Sequence, residues 1–278
     1  MDKYSLKPEN DYMVDYHATR QDIQESLRNN ATITGIVTGI DSQKQTLKVC
    51  IGNDIFGIMP WSEASLYNLT YKKEISPDIP QQILVLTYKK VRTKVKEIKA
   101  DGTIILSRKY NMLEAWESVI AAPDNLYNAN IVGYYDSGVF YDIGEGICAF
   151  CYVYDYSLCR FDLPKVVKIN TEDTVKLLNL DANNDYRITC SRRLGSQTNY
   201  SNFEKGKIVK IILGQPVYQN DDHEDSKLTG YFAELAPNVS GIADVNPHLS
   251  VKTGDIVFAL IKSVNVPESK IKLDIIDK

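Results

Sequence analysis

Histidine is scarce in this chain of 278 residues, which holds only three. His17 and His248 have no neighbouring partner of the kind catalysis needs. The sequence also lacks a phosphate-cradling glycine loop, a nucleophile elbow and a His-Glu-x-x-His motif, so no catalytic constellation is legible. Cysteine is present only as an odd set of five (Cys50, Cys148, Cys151, Cys159, Cys190), which reads as reduced and mostly buried thiols. Cys148-Ala-Phe-Cys151 has no second cysteine pair and no histidine nearby. On a strand its two thiols would point to opposite faces, which argues against zinc. Asp221-Asp-His-Glu-Asp225 has ligand types for a cation but no glycine-defined loop, and reads as a solvated acidic loop. No metal or cofactor is expected. No stretch approaches the roughly 20 apolar residues of a membrane helix. No apolar run follows Met1-Asp2-Lys3, so the expectation is a soluble, cytoplasmic chain.

The net charge of −4 excludes a uniformly basic nucleic-acid binder, but the charge is unevenly spread. Residues 31–110 hold twelve Lys/Arg against seven Asp/Glu, whereas 124–193 hold seven against ten and 200–278 nine against eleven. One third of the chain is basic and the rest mildly acidic.

The dominant pattern is a threefold recurrence. Ile104-Ile-Leu-Ser-Arg108-Lys109 returns as Ile188-Thr-Cys-Ser-Arg192-Arg193, and more loosely as Ile271-Lys-Leu-Asp-Ile275. Each ending is preceded by a start: Gly35-Ile-Val37, Asn130-Ile-Val132 and Lys207-Ile-Val209. A repeat of this size is a small domain rather than a solenoid turn. Short β-branched runs separated by turn residues predict five strands in each copy. In the first copy these are 33–40, 46–51, 55–59, 91–98 and 103–107. Residues 17–29 predict a short helix. Residues 110–122 predict another, with Leu113, Trp116 and Ile120 on one face, stopped by Pro123 and suited to act as a strut. The expected organisation is an arm and helix at 1–30, a first repeat at 31–109, a linker helix at 110–123, and further repeats at 124–194 and 200–278. The expected class is all-β, three tandem five-stranded barrels.

Val139-Phe-Tyr-Asp-Ile-Gly144, Cys151-Tyr-Val-Tyr154 and Ser191-Arg-Arg193 carry a resemblance. With Gly57-Ile-Met-Pro-Trp-Ser62 and Gly230-Tyr-Phe-Ala233 in the other copies, the chain resembles the RNA-binding domain named after ribosomal protein S-one. In layout it is similar to short three-repeat bacterial homologues of that protein. The resemblance covers about residues 31–278 and implies OB-fold barrels that bind single-stranded RNA, without catalysis, in translation or RNA handling. It departs at the family's contact positions. The second copy has Ser137, Phe140 and Tyr152 there, the first lacks the aromatic pair and has Pro60, and the third has Thr229, Phe232 and Asp244.

Binding a single strand needs cations for phosphates and flat side chains for bases. The first copy offers Lys89, Lys90, Arg92, Lys94, Lys96, Arg108 and Lys109. Arg92, Lys94 and Lys96 alternate, so they share a strand face, with Val91 and Val95 on the other phase. This stripe reads either as a phosphate track or as a charged edge that blocks sheet aggregation. Trp61 is a candidate stacking ring. The second copy offers Phe140 and Tyr152, with Tyr135 nearby to supply a missing ring, and Arg192 and Arg193 at its end. These rings read either as a base platform or as barrel packing; Tyr141 faces the opposite side and reads as packing. The expected partner is single-stranded RNA. The alternative is a structural or protein-interaction role in a ribosomal or other assembly, served by the second and third copies.

Overall fold

The computed structural model describes residues 18–72, 74–159, 161–219 and 227–278; the predicted arm at 1–15 and the acidic loop Asp221–Asp225 lie outside the described residues. Helix α1 (Arg20–Asn29) starts on a capping box in which Thr19 and Asp22 each accept the other's backbone N–H. It ends on Asn30 in the left-handed region, at φ 56. Ile23 is buried, and Ser26 Oγ accepts the Val95 N–H at 2.9 Å.

The first barrel follows: β1 (Ile33–Asp41), β2 (Thr46–Gly52), β3 (Ile55–Pro60), α2 (Trp61–Ala64), α3 (Gln81–Leu84), β4 (Lys90–Ile98) and β5 (Ile104–Ser107). Helix α4 (Lys109–Ala121) leads to the second: β6 (Leu126–Tyr135), β7 (Gly138–Asp142), β8 (Cys148–Tyr152), α5 (Val153–Tyr156), α6 (Leu163–Val166), β9 (Glu172–Asp181), β10 (Arg187–Ser191) and α7 (Arg192–Gly195). A short 3₁₀ turn at Tyr200–Asn202 precedes β11 (Ile208–Tyr218), β12 (Leu228–Ala236), β13 (Val239–Asp244), β14 (Ile256–Asn265) and β15 (Lys270–Asp277).

Each set closes into a barrel with one strand order, first-second-third-fifth-fourth and back to the first. Third and fifth strands run parallel, as in Gly57↔Ile104, Ile188↔Ala149 and Ile242↔Lys272. First and fourth strands are antiparallel. These are three tandem OB-fold barrels, as the strand pattern predicts. Closure follows from alternation: inward residues such as Val37, Leu47, Val49, Met59, Val91 and Leu106 fill the first interior, and Leu213, Ala233, Val257, Ala259 and Leu273 the third. Glycine serves the close crossings. A Cβ on Gly138 would lie 2.3 Å from the Cys151 carbonyl oxygen, and one on Gly230 2.6 Å from that of Ala243.

The chain forms two compact units. One comprises Met1–Pro123 with Asp142–Cys148 and Leu180–Arg187; the other comprises Asp124–Tyr141, Ala149–Asn179 and Ile188–Lys278. Within the first unit, the Tyr67 hydroxyl accepts the Cys148 N–H at 2.7 Å and Asp185 accepts the Asn68 N–H at 2.7 Å. Trp116 meets Tyr186 edge to face at 5.2 Å. The buried face of α4 differs from the expected one. Met112, Ala115, Trp116 and Val119 are buried, while Ile120 is 52% exposed and Leu113 only half-buried. The stripe turns by one position because Lys94 of β4 reaches Glu114 and Arg108 reaches the Met112 sulfur.

Within the second unit, Arg192 is the main polar knot. Its Nε donates to Asp173 at 2.9 Å, and Nη1 lies 3.1 Å from both oxygens of Glu234 on β12. Its plane stacks on Tyr156 at 4.6 Å, and the Tyr141 hydroxyl donates to the other Asp173 oxygen at 2.7 Å. Burial opposes the Arg192 charge, but Glu234 and Asp173 outweigh it and hold the cation more firmly than usual. Arg192→Ala should therefore cost about 3–5 kcal/mol, because two part-buried carboxylates lose their counterion. Lys270→Ala, which breaks an exposed pair with Glu268, should cost under about 1 kcal/mol. Urea unfolding of both variants checks this; equal, small losses would contradict it.

Candidate nucleic-acid interface

On β4 the alternation places Arg92, Lys94 and Lys96 on the outer side, opposite the buried Val91, Thr93 and Val95, as expected. Their surroundings differ from those of a bare phosphate track. Arg92 lies 2.5 Å from Glu145, Lys94 2.5 Å from Glu114, and Lys96 2.5 Å from Glu63. Lys94 is only 3% exposed, so its ammonium is a structural cation and not a surface contact. Arg108 is likewise buried, donating to the Ala64 carbonyl at 3.0 Å and to the Met112 sulfur. Trp61 is buried in the first barrel's core and offers no stacking face: as the first residue of α2 it is turned under the barrel, its backbone N–H bound to the Gln45 carbonyl. Lys89 is exposed, and Lys90 and Lys109 are half-buried.

The second barrel presents its rings outward. Along β8 the alternation that buries Ala149 and Cys151 turns Phe150 and Tyr152 to the opposite face. Phe140 on β7 and Tyr135 at the end of β6 come to the same face. The result is a continuous ladder. Tyr135 meets Phe140 edge to face at 5.6 Å, Phe140 meets Phe150 at 4.8 Å, and Phe150 meets Tyr152 edge to face at 4.9 Å. Tyr152 stacks parallel on Tyr154 at 5.3 Å. Tyr154 is 62% exposed, so one side of its ring lies open beyond the stack. Arg193 sits at this end and donates to the Tyr154 carbonyl at 2.8 Å. Tyr141 points inward and is fully buried, as its phase predicts.

Phe150 and Tyr154 were not among the candidates drawn from the sequence. The period-two run Phe150, Tyr152, Tyr154 was the available signal, hidden because the family's pattern marks only one of the three. Arg192, a candidate for RNA contact, is instead committed to Asp173 and Glu234. The first barrel carries a smaller counterpart that the sequence also concealed: Lys48 on β2 lies 4.0 Å over the exposed ring of Phe56 on β3. Phe232 and Ile242 pair at the corresponding place in the third. Among the described residues no cluster of His, Cys, Asp or Glu is suited to hold a metal. Cys159 is buried, with its thiol pushed up to about 12 by that burial and by Glu234.

No family model and no curated protein matches this chain. Among solved structures it is similar to a multidomain protein with nucleic acid binding domains from Streptococcus pneumoniae, 12% identical over 88% of this chain and 73% of that one, with a TM-score of 0.30. It is also similar to GSP13 from Bacillus subtilis, 19% identical over 30% of this chain and 63% of that one, TM-score 0.25. A third is Drosophila Unr CSD456, 10% identical over 88% and 95% of the two chains, TM-score 0.24. At these scores the fold assignment rests on strand order and barrel closure alone.

Glu63 offers a test of the neutralised stripe. Burial pushes its carboxyl up, but hydrogen bonds from Lys96 and Ser107, with the charges of Lys96 and Lys109, outweigh burial and hold it below the usual glutamate range. A lowered folded-state pKa contributes stability above the unfolded value and loses it as pH falls through the folded one. The stability gap between the natural protein and Glu63→Gln should be largest near neutrality and shrink as pH falls through the ordinary carboxylate range and below it. Urea midpoints across that range measure it; a constant gap would show that Lys96 and Glu63 are not paired.

Proposed function

We propose that the chain is a non-enzymatic protein that binds single-stranded RNA, with base stacking supplied by the second barrel. One observation carries this reading: the outward ladder Tyr135–Phe140–Phe150–Tyr152–Tyr154, in which Phe140, Phe150 and Tyr152 stand on the second and third strands of an OB-fold barrel and Tyr135 and Tyr154 extend the row from the end of β6 and from α5. That face is where barrels of this type take oligonucleotides. Unpaired bases stack on aromatic rings at about 1–3 kcal/mol each, with little sequence preference. Folding does not require rings in these outward positions, since the core is filled by the alternate set. The resemblance to S-one-type domains supports RNA as the ligand and translation or RNA handling, in the cytoplasm, as the setting.

Phosphate contacts fall to the cations that remain at the surface. Arg193 stands beside the ladder, Lys89 is exposed just before β4, and Lys109 opens α4. Arg92 and Lys96 can turn to a phosphate only by exchanging a carboxylate for it. This makes the first barrel a weaker electrostatic site than its net charge suggests.

A protein-interaction role within a ribosomal or other assembly is the second reading. The neutralisation of Arg92, Lys94 and Lys96 by Glu145, Glu114 and Glu63 favours it. A gel shift with a short unstructured RNA at low salt separates the two. RNA binding predicts a shift at micromolar protein that fades as salt rises. Tyr152→Ala and Tyr154→Ala should each weaken it by about 5- to 150-fold, equivalent to about 1–3 kcal/mol. No shift, or one indifferent to both substitutions, would favour the protein-interaction role.

A further inference from the structure

The third barrel carries an apolar face where the first carries its cations. Buried Val91, Thr93 and Val95 of β4 correspond in phase to buried Val257, Ala259 and Ile261 of β14. The intervening outward positions are Lys90, Arg92 and Lys94 in the first barrel and Ile256, Phe258 and Leu260 in the third. In the first barrel this face is covered, with Glu114 of α4 seated on Lys94. In the third, none of the described residues covers it: Phe258 is 45% exposed and Ile208, which pairs with Leu260, is 60% exposed. Ile212 lies beside Ile256, and Ile276 on β15 extends the patch on the other side. A closed barrel has no edge to protect, so this surface is unexplained by folding.

The charges at its margin point to one occupant. Lys210 on β11, Phe258 on β14 and Asp277 on β15 stand in a row across the sheet. Lys210 and Asp277 are exposed on opposite sides of the ring, and no ion pair joins either to another described residue. Asp277 uses one carboxylate oxygen to accept the Lys278 N–H at 2.8 Å, which leaves the other. A two-fold axis running along β14 over Phe258 would set Phe258 against Phe258. The same axis would bring Lys210 of each copy onto Asp277 of the other, twice. The apolar strip is thus flanked by opposite charges in the arrangement that an isologous contact requires.

We propose that the outer face of β11, β14 and β15 is a homodimer interface, centred on Phe258 and closed by reciprocal Lys210–Asp277 pairs. The apolar strip supplies the attraction, and the two pairs fix the register. Sedimentation velocity on the full chain over a range of concentrations tests it. The natural protein should show a concentration-dependent dimer. Lys210→Glu and Asp277→Lys should each weaken association by about tenfold or more, since each places like charges opposite one another twice. The double variant Lys210→Glu/Asp277→Lys should restore it. Both positions are exposed, so folding is not at stake; Phe258→Asp should leave only monomer. A monomer up to about 100 µM, or a dimer indifferent to the charge variants, would overturn the proposal. The second of those results would place the dimer contact elsewhere on the chain.

Discussion

A five-stranded barrel closes only if every second residue of each strand fills its interior, and every other structural property of this chain descends from that alternation. The inward set is much the same in kind in all three copies: Val49 and Leu106 in the first, Ala149 and Cys190 in the second, Ala233 and Leu273 in the third. The outward set is free of that demand. It can carry cations, rings or aliphatic side chains at no cost to closure, and here each copy has taken a different option. One fold, repeated three times, carries three different surfaces.

Electrostatics then decides which of those surfaces are open. A charge that approaches burial must find a counterion, because the desolvation of an unpaired ion costs several kcal/mol. Lys94 lies under α4 and is paired with Glu114; Arg192 lies against Tyr156 and is paired with Asp173 and Glu234. Both are read in the sequence as ligand contacts and both hold the protein together. Rings behave otherwise. Tyr152 and Tyr154 can stand half in water because their mutual stacking offsets part of the exposure. The ladder stays open to solvent where the cationic stripe is largely neutralised.

Strand order, strand limits and the inward phase were legible because they rest on local alternation and on turn residues. The face shared by Arg92, Lys94 and Lys96 was legible for the same reason. What escaped was everything set by contacts between distant segments. Glu145 lies 53 positions from Arg92, and Glu234 lies 42 from Arg192, so no local pattern announces either pair. Trp61 reads as an exposed ring by its motif, yet α2 turns it into the core. Phe150 differs: its signal is local, in the period-two run with Tyr152, but it lies outside the contact positions of the resembling domains, which mark Phe140 and Tyr152 on either side of it in the ladder.

The proposed function places single-stranded RNA on the second barrel's ring face. Ultraviolet crosslinking to a short photoreactive uridine-containing RNA, followed by mass spectrometry of the adducts, tests it most directly. Adducts should concentrate on peptides carrying Tyr135, Phe140, Phe150, Tyr152 and Tyr154. Adducts confined to other barrels, with that stretch unlabelled at saturating RNA, would contradict the claim.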